Sequence, residues 1–115
     1  MEKTMRNNIT DSELLQWAEI GVQFYTALFS DGAYPHKHFS GKVCLNEVVS
    51  TFVLFLTDEY GLGKDDAYDT AQSFIGRIRP ALDKRIAEEA VRYHRDRAVS
   101  KVLDTAAKAR RNANQ

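Results

Sequence analysis

Apolar residues recur three and four positions apart along most of this chain, and this spacing constrains its fold more than any other feature. It is the period of an α-helix that buries one face, and it continues through segments too long for single strands. The clearest example places on one helical face Leu14, Trp17, Ala18, Tyr25 and Leu28, widened by Val22 and Phe24. We therefore predict an all-α fold, a small bundle of about four helices with a long basic C-terminal helix that kinks or extends from the bundle.

The first helix has clear signals at both ends. Thr10 followed by Glu13 is a capping box, which satisfies backbone N–H groups at a helix N-terminus. Gly32 can adopt the left-handed conformation that ends many helices. We predict that this helix runs from about Asp11 to Ser30.

The next segment, Val43 to Tyr60, contains the β-branched run VVSTFV, which alone favours a strand. The segment is longer than a typical strand and no turn residue divides it, so we predict a second helix. Gly61 fits the left-handed position after that helix, and the acidic residues that follow suit the positive N-terminus of a third. Proline interrupts helices, so we predict a boundary or kink at Pro80 and a fourth helix from there to about Arg110.

The apolar pattern of the last helix changes phase. At roughly 100° per residue, two sets of apolar residues fall on nearly opposite faces. They are Leu82, Ile86, Ala90 and Tyr93 on one face, and Val99, Val102, Leu103 and Ala106 on the other. A straight helix cannot bury both sets against the same partner. Either the chain breaks near residues 94–97, or the second set packs against a second copy or another protein, which is the interpretation we favour.

Size and composition predict one soluble domain. The 115 residues are near the usual size of a domain, and the hydrophobic and charged fractions, 43% and 28%, are ordinary for a globular protein. We divide the domain, residues 1–115, into a flexible N-terminus (1–9), a helical core (10–97) and a C-terminal helical extension (98–115). The longest apolar run is far too short to cross a bilayer, so we expect no membrane partner. Cys44 is the single cysteine, so no disulfide can close within the chain, and we expect a cytoplasmic location.

The formal net charge of zero conceals a division along the chain. Residues 1–75 carry five Lys/Arg against eleven Asp/Glu, a net charge of −6, and residues 76–115 carry eleven against five, a net charge of +6. A basic helix of this kind attracts either nucleic-acid phosphates or an acidic protein surface. The candidate phosphate-binding residues are Arg77, Arg79, Lys84, Arg85, Arg92, Arg95, Lys101, Lys108, Arg110 and Arg111.

A solvated helix face explains the same charges without a partner. Acidic residues lie four positions from the arginines, as Glu89 from Arg85 and Glu88 from Arg92, and can pair with them. The sequence also lacks zinc-finger spacing, an RNP-like strand, a GxxG loop and a clear recognition helix. Nucleic-acid binding through the phosphate backbone is therefore the alternative interpretation.

The segment Ala33 to Lys42 is predicted to be a loop and is the chemically richest part of the chain. Its histidines, His36 and His38, form with nearby Cys44 and Glu47 the only cluster of potential metal ligands. A structural zinc site normally has four ligands in paired spacing, so we predict neither a metal nor another cofactor. The histidines and Cys44 also lack an orienting acid and an oxyanion-forming glycine turn. We therefore assign no catalytic residue and predict that the chain is not an enzyme.

These observations predict a non-catalytic interaction module, a small regulator, inhibitor or assembly subunit acting on a larger protein complex. Exposed aromatics beside histidine and lysine resemble the anchors of protein interfaces, and we expect Tyr34 and Phe39 to be exposed in this way. The predicted partner-binding residues are Tyr34, His36, Lys37, His38 and Phe39 in the loop and Val99, Val102 and Leu103 in the last helix. The partner is expected to be another protein or a second copy of this chain. The other aromatics are expected to share the core: Trp17, Phe24, Tyr25, Phe29, Phe52, Phe55, Tyr60 and Phe74.

Overall fold

The computed structural model describes residues 9–113, apart from the side chain of residue 96, and within that range it is helical without strands. Three helices follow one another: α1, Asp11–Ser30; α2, Gly41–Tyr60; and α3, Lys64–Ala113. The all-α prediction is confirmed, with three helices in place of about four. Residues 1–8 of the N-terminus predicted to be flexible lie outside the described residues, whereas Ile9 is buried in the core.

Both ends of α1 form as predicted. Thr10 caps the helix, because its Oγ1 accepts a hydrogen bond from the backbone N–H of Glu13 at 3.2 Å. At the other end Gly32 is left-handed, with φ 77°, and the N–H of Ala33 donates to the carbonyl of Leu28 at 3.0 Å. The capping bonds that the local sequence predicts are therefore present at both ends of this helix.

α2 forms over the β-branched segment. Ser40 caps its start, because the serine Oγ accepts a hydrogen bond from the backbone N–H of Val43 at 3.2 Å. At its end Gly61 is left-handed, with φ 68°, and the N–H of Leu62 donates to the carbonyl of Leu56 at 3.2 Å. This hydrogen bond spans six residues, one more than the bond of a Schellman ending, so α2 ends in a wider turn around the left-handed glycine. The predicted second helix is confirmed, and its packing and caps prevail over the β-propensity of the residues.

The predicted boundary at Pro80 is wrong, because α3 passes through this residue without interruption. Proline lacks the N–H that would donate to the carbonyl of Gly76, one turn earlier. Both residues are exposed, so water can bind that carbonyl instead. The core residues Ile78 and Leu82, 3% and 1% exposed, hold the same face of α3 against the bundle on both sides of the proline. Burial of this face offsets the lost hydrogen bond.

The core lies where the three helices meet, each packed on the other two. α1 and α2 approach closely at Gly21, where an added Cβ would lie 2.7 Å from the Cα of Val48. The ring of Trp17 packs edge-on against Phe52, with ring centroids 5.5 Å apart. Phe24 departs from the predicted aromatic core, since 53% of it is exposed. The other members of that predicted set are buried or partly buried.

α3 is much longer than α1 and α2. Its 50 residues correspond to about 75 Å of helix, and the chain is 74 Å long and 24 Å wide. The radius of gyration, 19.2 Å, exceeds the ~13 Å of a compact chain of this length. α3 contacts the loop as far as Arg97, whose Nη1 donates to the carbonyl of Lys37 at 2.6 Å. The helix continues unbroken through residues 94–97, so the alternative of a break is wrong, and residues 98–113 form a C-terminal extension.

Candidate interaction surfaces

The loop between α1 and α2, residues 31–40, is packed onto the bundle by an aromatic cluster around Tyr25 of α1. The Tyr25 hydroxyl accepts a hydrogen bond from the backbone N–H of Ser40 at 2.9 Å and lies 2.9 Å from His36 Nε2. The ring of Phe39 packs edge-on against that of Tyr25, with centroids 5.2 Å apart. Burial raises the pKa of the Tyr25 hydroxyl.

The predicted exposure of Tyr34 and Phe39 is wrong. Phe39 is only 8% exposed, and Tyr34 is partly buried. The Tyr34 hydroxyl donates to Glu47 Oε1 at 2.8 Å, and burial together with this hydrogen bond raises the pKa of Tyr34 to about 12. Local composition predicts a surface loop, but aromatic rings distant in sequence bury these two side chains. Lys37 and His38 are exposed, whereas His36 is partly buried.

The predicted loop histidines and Cys44 have separate environments. Among residues 9–113, no three His, Cys, Asp or Glu side chains lie close enough together to hold a metal ion. Cys44 is fully buried, and that burial raises the pKa of its thiol to about 12. Such a thiol is protonated at neutral pH and is a poor nucleophile. Its surroundings are those of a core residue.

The C-terminal extension carries an uncovered apolar face. Val99, Val102 and Leu103 are 53%, 66% and 63% exposed. Together with Ala106 they lie three or four positions apart, which places them on one side of the helix. We call these four residues the C-terminal stripe. Aliphatic side chains on consecutive turns are the typical docking face of an amphipathic helix.

Arg85, a predicted phosphate-binding residue, is held by two carboxylates. Its Nε and Nη2 donate to the two carboxylate oxygens of Glu19 at 2.7 and 2.8 Å, and its Nη1 donates to Glu89 at 2.8 Å. The hydrogen bond from Arg85 lowers the pKa of Glu19. The predicted pair of Arg85 with Glu89 is confirmed, whereas Arg92 and Glu88 form no ion pair in the described structure. The Arg85 guanidinium therefore joins α3 to α1.

The other predicted phosphate-binding residues are not gathered into one patch. Arg77 pairs with Asp11 at 2.6 Å, and Arg79 pairs with Asp83 at 2.8 Å. Within the described part of the chain, seven have no ion pair: Lys84, Arg92, Arg95, Lys101, Lys108, Arg110 and Arg111. These cations are spread along most of α3, so the structure brings together only part of the predicted set.

Two of these cations share the side of α3 that carries the C-terminal stripe. Arg95 lies four positions before Val99, and Arg110 lies four positions after Ala106. Residues four apart lie one above the other on a helix. The stripe is therefore an apolar strip with a positive charge at each end, which complements an apolar surface bordered by acidic groups.

A second apolar surface lies between α1 and α2, and sequence reasoning missed it. Ile20 and Phe24, one turn apart on α1, and Leu54 on α2 are 52%, 53% and 54% exposed. They line a shallow cavity of about 190 Å³ that Glu47 also lines, and we call this cavity the α1–α2 groove. The sequence feature that could have predicted this groove is the apolar pair Ile20 and Phe24, four positions apart on α1. The pair lies beside the buried face of the helix and not within it.

The described geometry thus offers two apolar surfaces, the C-terminal stripe and the α1–α2 groove, and the exposed pair Lys37 and His38 beside the stripe's helix. No helix within residues 9–113 combines the length and the apolar character that crossing a membrane requires. No protein-family model, no curated protein and no solved structure matches the chain.

Proposed function

We propose that this chain is a non-catalytic cytoplasmic interaction module that docks on another protein or on a second copy of itself, as a regulator, inhibitor or assembly subunit of a larger complex. The observation that carries the proposal is the C-terminal stripe, with three aliphatic side chains more than half exposed on a helix that extends beyond the bundle. Their burial on a partner gains roughly 25 cal/mol per Å² of apolar surface. The extension loses no core contact of its own when it docks.

The loop between α1 and α2 adjoins the start of the C-terminal extension, so we include it in the same binding surface. The carbonyl of Lys37 accepts a hydrogen bond from Arg97, the residue just before the extension. The exposed side chains of Lys37 and His38 therefore lie close to the start of the stripe's helix. Tyr34 and Phe39 contribute by holding the loop in place, since they are packed against the bundle.

The charges around the stripe support a partner surface of defined chemistry. Arg95 and Arg110 are exposed on the side of the stripe, and neither has an ion pair within the described part of the chain. Cations at both ends of an apolar contact select acidic groups on the partner and disfavour basic ones. The partner is accordingly an apolar surface with carboxylates at its border.

A second candidate function is nucleic-acid binding through the phosphate backbone. It is favoured by the exposed cations of the extension, Lys101, Lys108, Arg110 and Arg111, none of which is ion-paired in the described structure. Binding of this kind weakens steeply as salt rises. An electrophoretic shift assay with generic DNA and RNA at low salt tests it, and the absence of any shift would rule it out.

Affinity capture from an extract of the cells that produce this protein tests the first function. The full-length chain serves as bait, beside Leu103→Asp in the stripe and Thr105→Asp on another, exposed side of the same helix. Both substitutions add one negative charge to the extension, but only Leu103→Asp removes an apolar side chain of the stripe. Wild type and Thr105→Asp are expected to retain the same protein, and Leu103→Asp to lose it. Equal capture by all three would contradict the proposal.

A further inference from the structure

We propose that the C-terminal stripe docks in the α1–α2 groove of a second copy of this chain. The inference rests on the proposed function, since it names the partner that the stripe binds. Each copy carries both surfaces: a helix with an exposed apolar stripe, and an exposed apolar groove between two helices. A helix laid in an apolar groove is a common mode of protein recognition.

The charges of the two surfaces are opposite. α2 contains three acidic residues and one Lys, a net charge of −2, whereas two of the three acidic residues of α1, Asp11 and Glu19, already pair with Arg77 and Arg85 of α3. The extension, residues 98–113, contains four Lys/Arg and one Asp, a net charge of +3. Opposite potentials accelerate the encounter of two surfaces and set their register. The groove supplies the acidic border that the stripe requires.

The order of groups along the two surfaces also agrees. On α2, Glu47 lines the groove and Asp58 lies one turn beyond the exposed Leu54. On α3, the apolar stripe lies between Arg95 and Arg110. Both surfaces are therefore apolar at the centre and charged at the ends, with opposite signs.

Other ways of covering the stripe fit less well. The extension continues the same helix as the bundle's part of α3, so it points away from its own groove. Two stripes packed against each other would bring together two extensions that each carry a net charge of +3. One helix in one groove is also a small contact beside the roughly 1,600 Å² of a standard interface. A two-fold dimer of this chain forms the contact twice.

Sedimentation equilibrium of the full-length chain tests the proposal at micromolar to submillimolar concentration and low salt. Wild type is expected to dimerise. Leu103→Asp in the stripe and Phe24→Asp in the groove are each expected to raise the dissociation constant by about tenfold or more, as for central interface residues. Thr105→Asp, which adds the same charge to another face of the extension, is expected to raise it far less, because it leaves the stripe intact. Circular dichroism verifies that each variant keeps its helix content.

Sedimentation equilibrium of an equimolar mixture of Leu103→Asp and Phe24→Asp provides a second test. The first variant keeps an intact groove and the second an intact stripe, so a mixed pair has one of its two contacts fully intact and is expected to associate more tightly than either variant alone and less tightly than wild type. An unfolded variant could not give this result, and neither could pairing of stripe with stripe. A Phe24→Asp protein that dimerises as well as wild type overturns the proposal.

The proposed function can survive the failure of this inference. A wild-type chain that stays monomeric, combined with capture of a different protein that depends on Leu103, overturns the second copy and leaves the interaction module standing. A monomeric chain whose captures do not depend on Leu103 overturns both.

Discussion

A close approach of α1 to α2 depends on one residue, Gly21. A Cβ at this position would lie 2.7 Å from the Cα of Val48, so the two helices would have to move apart. We expect Gly21→Ala to lower the free energy of unfolding by about 1–3 kcal/mol, measured by urea denaturation, although alanine favours helix more than glycine does. The matched control is Gly76→Ala, a helical position with open space around it, which is expected to raise that energy by about 0.5–1 kcal/mol. Equal stabilisation by both would contradict the tight crossing.

The buried thiol of Cys44 and the partly buried hydroxyl of Tyr34 make the fold sensitive to base. Burial raises the pKa of Cys44 from 9.0 to about 12 and that of Tyr34 from 10.0 to about 12. As pH rises, the unfolded chain releases these protons before the folded chain does. The free energy of unfolding is therefore expected to fall from about pH 9 upward, towards pH 12.

Urea denaturation between neutral pH and about pH 11 measures this slope. Cys44→Ala lowers stability at every pH because it leaves a cavity, but it is expected to flatten the decline between about pH 9 and 10. Tyr34→Phe is expected to preserve that early decline and to reduce the one above about pH 10. A Cys44→Ala slope parallel to that of wild type would show that the thiol does not cause the early decline.

Single residues also show where sequence reasoning fails. Phe39 lies in a segment of turn-forming residues, which predicts exposure, yet the rings of Tyr25 and Tyr93 bury it. Phe24 lies in an apolar helix, which predicts burial, yet 53% of it is exposed. Local composition cannot place either residue, because burial depends on which faces of distant helices meet.

Among the helices, α3 contains a proline within its length and stays helical through it. Pro80 is exposed and leaves the carbonyl of Gly76 without its helical partner. We expect Pro80→Ala to raise the free energy of unfolding by about 1–3 kcal/mol, because it restores the N–H donor and removes no buried side chain. Pro80→Gly restores the same donor and is expected to gain about 1 kcal/mol less. Urea denaturation compares the two, and a destabilised Pro80→Ala would indicate that the bundle requires the proline's local geometry.

The helix ends were predictable because capping is local. Thr10 and Gly61 act through hydrogen bonds within a few residues of themselves, and both helix ends form where the sequence places them. The boundary at Pro80 was predicted wrongly because burial of Ile78 and Leu82 against two other helices decides it. The change of phase in the last helix could be predicted from residue spacing alone. The α1–α2 groove could not, because it forms only where two helices pack together.

The whole molecule is an elongated object with its charges separated along it. It is 74 Å long, with α1 and α2 acidic in the bundle and a basic extension beyond it. Two such molecules attract most strongly when the extension of each lies beside the helices of the other. The same arrangement buries the stripe, so electrostatics and the hydrophobic effect favour one association.

The electrostatic and hydrophobic contributions to dimerisation can be separated by their response to salt. Arg110→Glu combined with Arg111→Glu changes the net charge of residues 98–113 from +3 to −1 and leaves the stripe intact. We expect this variant to dimerise about tenfold more weakly than wild type at low salt, with the difference shrinking as salt screens the charges. Leu103→Ala changes no charge, and its weakening of the dimer is expected to persist at high salt, because burial of apolar surface is not screened. Sedimentation equilibrium over a salt series measures both, and a double variant that matches wild type at low salt would show that the charge division plays no part in association.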